Sequence, residues 1–388
     1  MKTNNNIPAY RFQGYTDAWE LRKLGEVAEM YSGGTPSVGK KEFYEGNIPF
    51  IRSAEINSHN TELFLSELGL SNSSAKMVNK GDLLYALYGA TSGEVGLAKI
   101  SGAINQAILA IIPSIDYSSN FLLQWLKREK NNIIEKYLQG GQGNLSGAIV
   151  KDFSIMFPSL PEQEAIGTFF STLDRHITLH QRKLDTLKEQ KKTYLKLLFP
   201  AKAQTKPVLR FQGFEDDWEE VKLGEVVNIQ KGTQRGKQEI SEIQSEQFPY
   251  PVYNGGQNVS GYTDEYNREN MVIVSEGGAS AGYVNYYSGK FWSGGHNFSI
   301  DNLDNNLLFI KSILEFNQQK LYELKVGSGL PNVQLGSINQ FVLSLPILPE
   351  QEVIGTFFQT LDQEIAQVED KLASLKEMKK TLLRKLFV

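Results

Sequence analysis

The stretch that decides the fold is Leu160–Phe199, LPEQEAIGTFFSTLDRHITLHQRKLDTLKEQKKTYLKLLF. It returns 188 positions later as Leu348–Phe387, LPEQEVIGTFFQTLDQEIAQVEDKLASLKEMKKTLLRKLF, without a gap and with about 25 of 40 positions identical. In both copies apolar residues recur at alternating spacings of four and three, which places them on one stripe of an α-helix and is typical of a coiled coil. Each copy therefore predicts one long helix, about 55 Å long at about 1.5 Å per residue.

The apolar stripe of each helix predicts the seam along which the two helices pack. The first half of each copy is mostly acidic and the second half mostly basic, so antiparallel pairing places opposite charges side by side. The alternative is two amphipathic helices that pack separately on two domains. His180, Lys191 and Lys379 also lie on the stripe, and the predicted seam residues along it include Ile166, Phe170, Leu173, Ile177, Leu184, Leu187, Ile354, Phe358, Leu361, Ile365, Leu372 and Leu375.

The duplication covers the whole chain. RFQG at 11–14, followed by Trp19 and KLGEV at 23–27, recurs as RFQG at 210–213, Trp218 and KLGEV at 222–226. We predict an α+β fold with a pseudo-two-fold tandem repeat, in which two mixed α/β globular domains are separated by two long antiparallel coiled-coil helices. The predicted parts are a first globular domain at 1–158, a spacer helix at 159–199, a linker at 200–209, a second globular domain at 210–346 and a second spacer helix at 347–388.

Within each globular domain, short β-like runs alternate with turns rich in Gly and Ser and precede one helix of medium length. The two predicted medium helices are Ser118–Leu138 and Asn305–Leu324. The predicted strands are Ile48–Ile51, Leu83–Tyr88, Ala107–Ile112, Tyr250–Tyr253, Met271–Val274 and Tyr283–Tyr287. The two domains agree at a few Gly-rich landmarks and differ between them, which fits a fixed frame carrying variable loops.

Composition excludes several classes of protein. The chain has 388 residues and no cysteine, so disulfides and thiolate metal sites are excluded. No apolar run approaches the length of a membrane span, and we expect a cytoplasmic protein. A net charge of −4 does not by itself indicate a nucleic-acid-binding protein.

Motifs for catalysis or metal binding are incomplete. GTPSVGKK at 34–41 approaches a phosphate-binding loop but lacks the Ser or Thr that follows the lysine, and the second unit does not keep its spacing. His176 and His180 lie one helical turn apart without a third ligand nearby, and their counterparts are Glu364 and Val368. We predict no catalytic residue and no metal site, hence a non-catalytic chain.

Taken together, these residues resemble the specificity subunit of type I restriction–modification systems. The resemblance is carried by the LPEQE-x-IG entry into a long helix, present at 160–167 and 348–355, and by KLGEV near the start of each unit. GGTPS at 33–37 and the run from Gly278 to Val284 leading to Phe291-Trp292 add to it. The resemblance spans nearly the whole chain, and the sequence departs from the family pattern in the loops.

The resemblance implies two target recognition domains, each of which reads one half of a bipartite, asymmetric DNA site. It implies that the long helices set the spacer and dock two methylase subunits that use S-adenosylmethionine to methylate adenine. Restriction subunits, which use ATP and Mg, join the full complex. This chain itself is expected to bind no cofactor and no membrane.

Base readers are expected to be amide, hydroxyl and arginine side chains on loops. The candidates are Arg52, Ser53, Asn57, Tyr88, Thr91, Ser92, Gln142, Asn144, Tyr253, Asn254, Gln257, Asn258, Ser280, His296, Asn297 and Asn332. Lys40, Lys41, Arg235 and Lys237 are candidates for phosphate contacts. Phe169 and Phe357, beside the seam, are candidates for docking partner helices. For each of these residues the alternative is an ordinary structural or solvated role.

Local charge limits how the chain grips DNA. Residues 1–158 carry 15 basic and 15 acidic side chains, whereas residues 204–346 carry 11 and 17. Because duplex binding draws on phosphate neutralisation, we expect the methylase subunits to supply much of the phosphate contact. Two rival interpretations remain: a two-headed scaffold spaced by a coiled coil that binds a ligand other than DNA, and a self-contained nuclease or methylase with diverged motifs.

Overall fold

The computed structural model describes residues 6–138, 144–201, 204–327 and 329–388. The chain forms two compact units, one made of the residues up to His180 together with Lys371–Val388, the other of Gln181–Asp370. Each unit contains one globular head, the first half of the long helix that follows that head, and the second half of the other long helix. We call the described residues of 6–158 head 1 and those of 204–346 head 2.

Head 1 is built from short strands and one medium helix. Its strands are β1 (Glu20–Lys23), β2 (Ala28–Ser32), β3 (Ile48–Ile51), β4 (Phe64–Leu65), β5 (Lys76–Val78), β6 (Leu83–Ala86), β7 (Val95–Leu97), β8 (Gly102–Ile104), β9 (Ile108–Pro113) and β10 (Ser154–Phe157). Its helices are α1 (Leu24–Val27), α2 (Glu67–Ser71), α3 (Ser119–Leu138) and α4 (Gly147–Lys151), and the long helix α5 (Leu160–Leu198) follows.

These strands form two four-stranded sheets, β2-β9-β6-β7 and β4-β3-β8-β5, and a two-stranded ribbon of β1 and β10. β3 and β8 pair in parallel, and the other pairs are antiparallel. The central strands β6 and β9 are buried along most of their length because apolar side chains occupy both of their faces.

Head 2 repeats this plan with longer strands. Its strands are β11 (Glu219–Lys222), β12 (Val227–Lys231), β13 (Tyr250–Tyr253), β14 (Gly261–Thr263), β15 (Arg268–Ser275), β16 (Val284–Ser293), β17 (Asn297–Asn302) and β18 (Val342–Leu345). Its helices are α6 (Leu223–Val226), α7 (Leu307–Phe316), α8 (Gln318–Glu323) and α9 (Leu335–Asn339), and the second long helix α10 (Leu348–Lys385) follows.

The strands of head 2 form one six-stranded sheet, β12-β17-β15-β16-β13-β14, besides the β11-β18 ribbon. Head 1 divides its strands between two sheets, whereas in head 2 the long strands β15 and β16 run without interruption and make one continuous sheet. β15 does so with a bulge between Glu269 and Met271. There Asn270 takes a positive φ of 51° and its Oδ1 accepts a 2.7 Å hydrogen bond from Gly289 N.

The predicted helix over Asn305–Leu324 is wrong as a single element. The structure has two helices, α7 and α8, with Asn317 between them. The Asn317 side chain donates to the carbonyl of Ile313 at 2.9 Å, which ends α7 by competing for its last backbone acceptors. The other predicted helix is present as α3. The predicted strands are present as β3 and β13 with the predicted ends, and as β6, β9, β15 and β16 with shifted ends.

In the Gln181–Asp370 unit, the second half of α5 runs antiparallel to the first half of α10. Lys188 of α5 pairs with Glu369 of α10 at 2.6 Å. Nearer the head, Lys191 reaches Asp362 at 2.7 Å and Tyr194 packs edge-on against Phe357. From Lys188 through Lys191 to Tyr194 along α5, the partners on α10 fall from Glu369 through Asp362 to Phe357, as antiparallel helices require.

The other unit repeats this arrangement with the roles of the helices exchanged. Asp174 of α5 pairs with Lys379 of α10 at 2.5 Å. The end of α10 enters the core of head 1, where Phe387 packs against Trp19, Phe121 and Phe170. The predicted α+β fold with two mixed domains and long antiparallel helices is confirmed.

Most predicted seam residues are buried. Ile177, Leu361 and Ile365, near the middle of each helix, are only partly buried. The buried ones are Ile166, Phe170, Leu173, Leu184, Leu187, Ile354, Phe358, Leu372 and Leu375. Within the described residues, no helix is long and apolar enough to cross a membrane.

The LPEQE-x-IG motif fixes each long helix to its own head. Glu162 is fully buried and accepts two 2.7 Å hydrogen bonds from Arg11 of RFQG. Gln163 donates to the carbonyl of Pro158 at 2.9 Å and accepts from the amide of Ser118 at the start of α3. Gly167 lets the helices cross closely, since a Cβ there would lie 2.7 Å from Asn120 Cβ.

The second copy uses the same contacts. Arg210 donates two 2.7 Å hydrogen bonds to Glu350, and Gln351 joins the carbonyl of Pro346 to the amide of Asn306. A Cβ on Gly355 would lie 2.5 Å from Asn306 Oδ1. The motif is therefore a joint between helix and head.

Candidate nucleic-acid interface

The two heads share one backbone frame at the ends of their central strands. In head 1 the amide of Leu87 donates to Ala107 O at 2.8 Å, and the amide of Leu145 donates to Leu87 O at 2.9 Å. In head 2 the amide of Glu276 donates to His296 O at 2.8 Å, and that of Val333 donates to Glu276 O at 2.8 Å. These hydrogen bonds align Leu87 with Glu276 and Ala107 with His296.

The Gly-rich turns after β6 and β15 belong to the same frame. Gly93 N donates to Ala86 O at 2.9 Å in head 1, as Gly282 N donates to Ser275 O at 2.7 Å in head 2. Both glycines have positive φ, 77° and 83°, which a side chain would strain. The backbone is thus common to the two heads, while the side chains it presents differ.

In head 2 this frame borders a cavity of about 630 Å³. Four predicted base readers line it: Asn254 after β13, Ser280 in the Gly-rich turn, His296 before β17, and Asn332. His296 and Asn332 are exposed. Glu276 also lines the cavity and pairs with Lys231 at 2.7 Å. The cavity therefore offers amide, hydroxyl and imidazole groups, all of which can hydrogen-bond base edges.

The remaining head 2 candidates lie differently. Asn297 is 1% exposed, and its Nδ2 donates to Tyr253 O at 2.6 Å. Tyr253 stacks on Tyr287, and burial raises the pKa of Tyr253. Gln257 and Asn258 are exposed on the loop after β13. Asn297 thus serves the fold, whereas Gln257 and Asn258 are free to face a ligand.

Head 1 has a cavity of about 490 Å³ beside the equivalent strand end, after β3. Of the predicted residues it gathers Arg52 and Lys41. The other lining residues are Thr35, Val38, Tyr44, Glu45, Phe50, Leu63 and Asn105. Sequence reasoning did not single out Thr35 or Asn105, because nothing in the chain order shows that the segments at 35 and 105 meet beside β3.

Arg52 is held by two carboxylates. Its Nε and Nη2 donate to Glu55 at 3.1 and 2.7 Å, and Nη2 also donates to Glu62 at 2.7 Å. Glu55 further accepts from Arg52 N, Thr61 Oγ1 and Glu62 N. Burial alone would raise the pKa of Glu55, but the hydrogen bonds from Arg52, Thr61 and the backbone lower it to about 2. Glu55 is therefore a fixed anion that orients Arg52.

The other described candidates of head 1 are not among the residues that line this cavity. Ser53 begins the 3₁₀ turn Ser53–Glu55, and Asn57 is exposed. Burial raises the pKa of the half-buried Tyr88, and Ser92 Oγ donates to Gly89 O at 2.9 Å within the turn after β6. Thr91 is partly exposed and Asn144 is exposed, whereas Gln142 lies outside the described residues.

The phosphate candidates fall into two groups. Lys40, Lys41 and Lys237 are exposed. Arg235 has a side chain only 10% exposed, lies 4.6 Å from the ring centroid of Trp292, and pairs with Asp264 at 2.6 Å and Glu265 at 3.2 Å. The guanidinium of Arg235 is thus already paired with two carboxylates of head 2.

Phe169 and Phe357, the docking candidates, are each partly buried. Phe169 packs edge-on against Phe12 with ring centroids 5.7 Å apart, and Phe357 packs against Phe211 at 5.9 Å. Phe12 and Phe211 belong to the RFQG repeats. Val353, one helical turn before Phe357, is 39% exposed and extends that face.

The two histidines of α5, His176 and His180, lie on the surface of the helix. Nδ1 of His180 lies 2.8 Å from the carbonyl oxygen of His176. Among the described residues, no group of three or more His, Cys, Asp or Glu side chains is placed to hold a metal ion.

The chain matches the family model described as the type I restriction modification DNA specificity domain twice, over residues 16–189 and 215–377. It belongs to that family. As a type I specificity subunit it is a non-catalytic component of a restriction–modification system, with DNA sequence recognition as its general role.

Relatives of this specificity subunit match it over nearly its whole length. It is 23% identical to the type I restriction enzyme MjaIX specificity subunit of Methanocaldococcus jannaschii, covering 95% of this chain and 92% of that one. It is 22% identical to the MjaVIII specificity subunit of the same organism, covering 94% and 91%. The crystal structure of a type I system S subunit from M. genitalium has a TM-score of 0.77, at 20% identity over 98% and 99% of the two chains. That likeness shows the fold.

Proposed function

We propose that each head reads one half of a bipartite, asymmetric DNA site, and that the two long helices set the spacer between the halves. One observation carries the proposal: the heads share the backbone frame after β6 and β15 but present different side chains on it. In the turns of equal length that follow these strands, head 1 places Tyr88 where head 2 places Gly277, and head 2 exposes His296 where head 1 has the buried Ala107. Two readers with one backbone and different side chains suit two different half-sites.

The helices are suited to hold a spacing. α5 has 39 residues and α10 has 38, so each spans about 58 Å at about 1.5 Å per residue. That length exceeds one turn of duplex, about 34 Å. The buried pairs Arg11–Glu162 and Arg210–Glu350 join each helix to its head, so a half-site reader moves with its helix rather than on a flexible tether.

The helices also carry the surface on which two adenine methylase subunits would dock, with S-adenosylmethionine held by those partners. The repeated motif gives two similar faces, one at Phe169 and one at Phe357, as two identical partners require. Head 2 alone is poorly suited to bind phosphates, because residues 204–346 carry an excess of six carboxylates over basic groups. The methylases then supply much of the phosphate contact. Restriction subunits with ATP and Mg would join this core in the cytoplasm.

Methylated adenines mapped across the genome of a host with and without this gene test the proposal. We expect a gapped motif of two parts that disappears on deletion. Replacing residues 1–158 with the matching part of a relative should change one half of the motif and leave the other half and the gap unchanged. A continuous motif, or a change in both halves, would contradict the assignment of one half-site to each head.

Docking is tested by co-purification with the methylase subunit. Phe169→Glu and Phe357→Glu should each weaken capture. Since both rings also pack on their own heads, the exposed Val353→Glu provides a matched variant that leaves the contact with Phe211 in place. We expect Val353→Glu to weaken capture at unchanged stability of the free subunit. Full capture by all three variants would rule out this helix face.

A further inference from the structure

We infer that Arg52 is the residue of head 1 that reads a guanine in the major groove, and that Glu55 is its positioning residue. The inference rests on the proposed function and adds the base that is read.

The hydrogen bonds of Arg52 leave one nitrogen available. A guanidinium carries five N–H donors in a fixed plane. Nε and both hydrogens of Nη2 are accounted for by Glu55 and Glu62. Within the described residues, Nη1 has no hydrogen-bond partner, and the side chain is 38% exposed and lines the head 1 cavity. Two donors on a group held in one orientation are therefore available to a ligand.

The surrounding charge selects what those donors bind. One guanidinium stands between two carboxylates, of which Glu62 is 82% exposed. A phosphate placed there would be repelled by the excess negative charge. A base edge is neutral, so it meets no such penalty. Arg52 is thereby suited to a base rather than to the backbone of DNA.

Among the base edges in the major groove, guanine is the one that matches. Guanine presents two acceptors, O6 and N7, and arginine has only donors. Adenine and cytosine each present an amino group there, which would meet the donors of Arg52 head-on, and thymine presents a single acceptor, O4, beside a methyl group. The fork between Arg52 and Glu55 fixes the plane of the guanidinium, so the discrimination does not depend on a mobile side chain.

The place of Arg52 agrees with a reading role. Arg52 directly follows β3, as Asn254 directly follows β13. The two strands are equivalent, since β3 pairs in parallel with β8 in head 1 and β13 pairs in parallel with β16 in head 2. Asn254 lines the head 2 cavity with His296 and Asn332. Both heads thus place a polar side chain at the same strand end beside a cavity, and only its identity differs.

The test compares variants in the assembled complex by genome-wide mapping of methylated adenines. Arg52→Gln should relax one G·C position of the half-site read by head 1, with a loss of preference on the order of 5- to 150-fold, and leave the other half unchanged. Arg52→Lys keeps the charge but lacks the fork, so it should relax the same position. A phosphate contact would instead give a uniform loss with Gln and a rescue with Lys. The exposed Arg22→Gln, which removes a pair with Glu20, serves as the matched control and should leave the motif intact.

A second measurement needs no variant. The purified wild-type complex is titrated with duplexes in which each guanine of that half-site is replaced by 7-deazaguanine, which lacks N7, or by 2-aminopurine, which lacks O6. We expect weaker binding at one position. If neither analogue weakens binding at any position, or that half-site has no G·C pair, Arg52 does not read guanine. An absent two-part motif would overturn the proposed function as well, whereas an intact motif that Arg52 does not affect overturns this inference alone.

Discussion

Arg210 donates two parallel 2.7 Å hydrogen bonds to Glu350, whose carboxylate is completely buried at the start of α10. The residues lie 140 positions apart, and Arg11 and Glu162 repeat the pair at the start of α5. A bidentate fork of this kind fixes both distance and angle. It therefore holds a helix of almost 40 residues in one orientation on its head.

Removing the cation should destabilise the unit strongly. Arg210→Met leaves Glu350 buried without a partner, for which we expect a loss of about 3–5 kcal/mol in the free energy of unfolding. Arg22→Met removes the exposed pair with Glu20 and should cost less than about 1 kcal/mol. Urea denaturation measures both variants. Equal losses would show that burial of Glu350 does not determine the strength of this joint.

A network of four charged groups lies where α5, α7 and α10 meet in the Gln181–Asp370 unit. Lys191 and Lys311 each pair with both Asp362 and Glu315. Lys191→Met leaves two carboxylates against one amine, whereas Lys191→Met with Asp362→Leu leaves the balanced pair Lys311–Glu315. We expect the double variant to be more stable than the Lys191→Met variant, with a coupling energy of about 0.5–3 kcal/mol between the two sites. Additive losses in a double-mutant cycle would contradict a shared network.

The glycine of the LPEQE-x-IG motif should not tolerate a methyl group. In Gly355→Ala the new Cβ would approach Asn306 Oδ1 to 2.5 Å and the amide of Phe309 to 2.9 Å, so α10 must move off α7. We expect a loss of about 1–3 kcal/mol. Gly336→Ala in α9 meets nothing within 4 Å and should be neutral or stabilising. Thermal unfolding of the two variants gives the comparison, and an unaffected Gly355→Ala protein would refute the close crossing.

Acid should weaken head 1 through Glu55. Its pKa in the folded protein is about 2, below the usual value of about 4.3, so the stability it contributes is present above about pH 4.3. That contribution is lost as the pH falls toward 2. The stability difference between wild type and Glu55→Gln should therefore shrink between about pH 5 and pH 2. Urea unfolding at several pH values tests this. A difference that stays constant with pH would show that Glu55 gains nothing from its charge.

Much of the architecture follows from local sequence. The repeat, the two long helices and their antiparallel direction depend on periodicity and on the sign of charge along each helix, both of which are visible in neighbouring residues. Most seam residues, such as Phe170 and Leu372, are buried for that reason. The helix at 305–324 was predicted as one element, because the side-chain contact of Asn317 that divides it depends on the folded backbone.

Tertiary structure decided which side chains meet. RFQG and LPEQE are both visible as repeats, yet only folding brings Arg11 to Glu162 across 151 positions. It gathered Asn254, Ser280, His296 and Asn332 around one cavity, placed Asn297 in the interior, and occupied Arg235 with Asp264 and Glu265. The physical reason is that a helix is specified by contacts three or four residues apart. A binding surface, in contrast, is specified by loops whose ends are joined only by the packing of the strands that carry them.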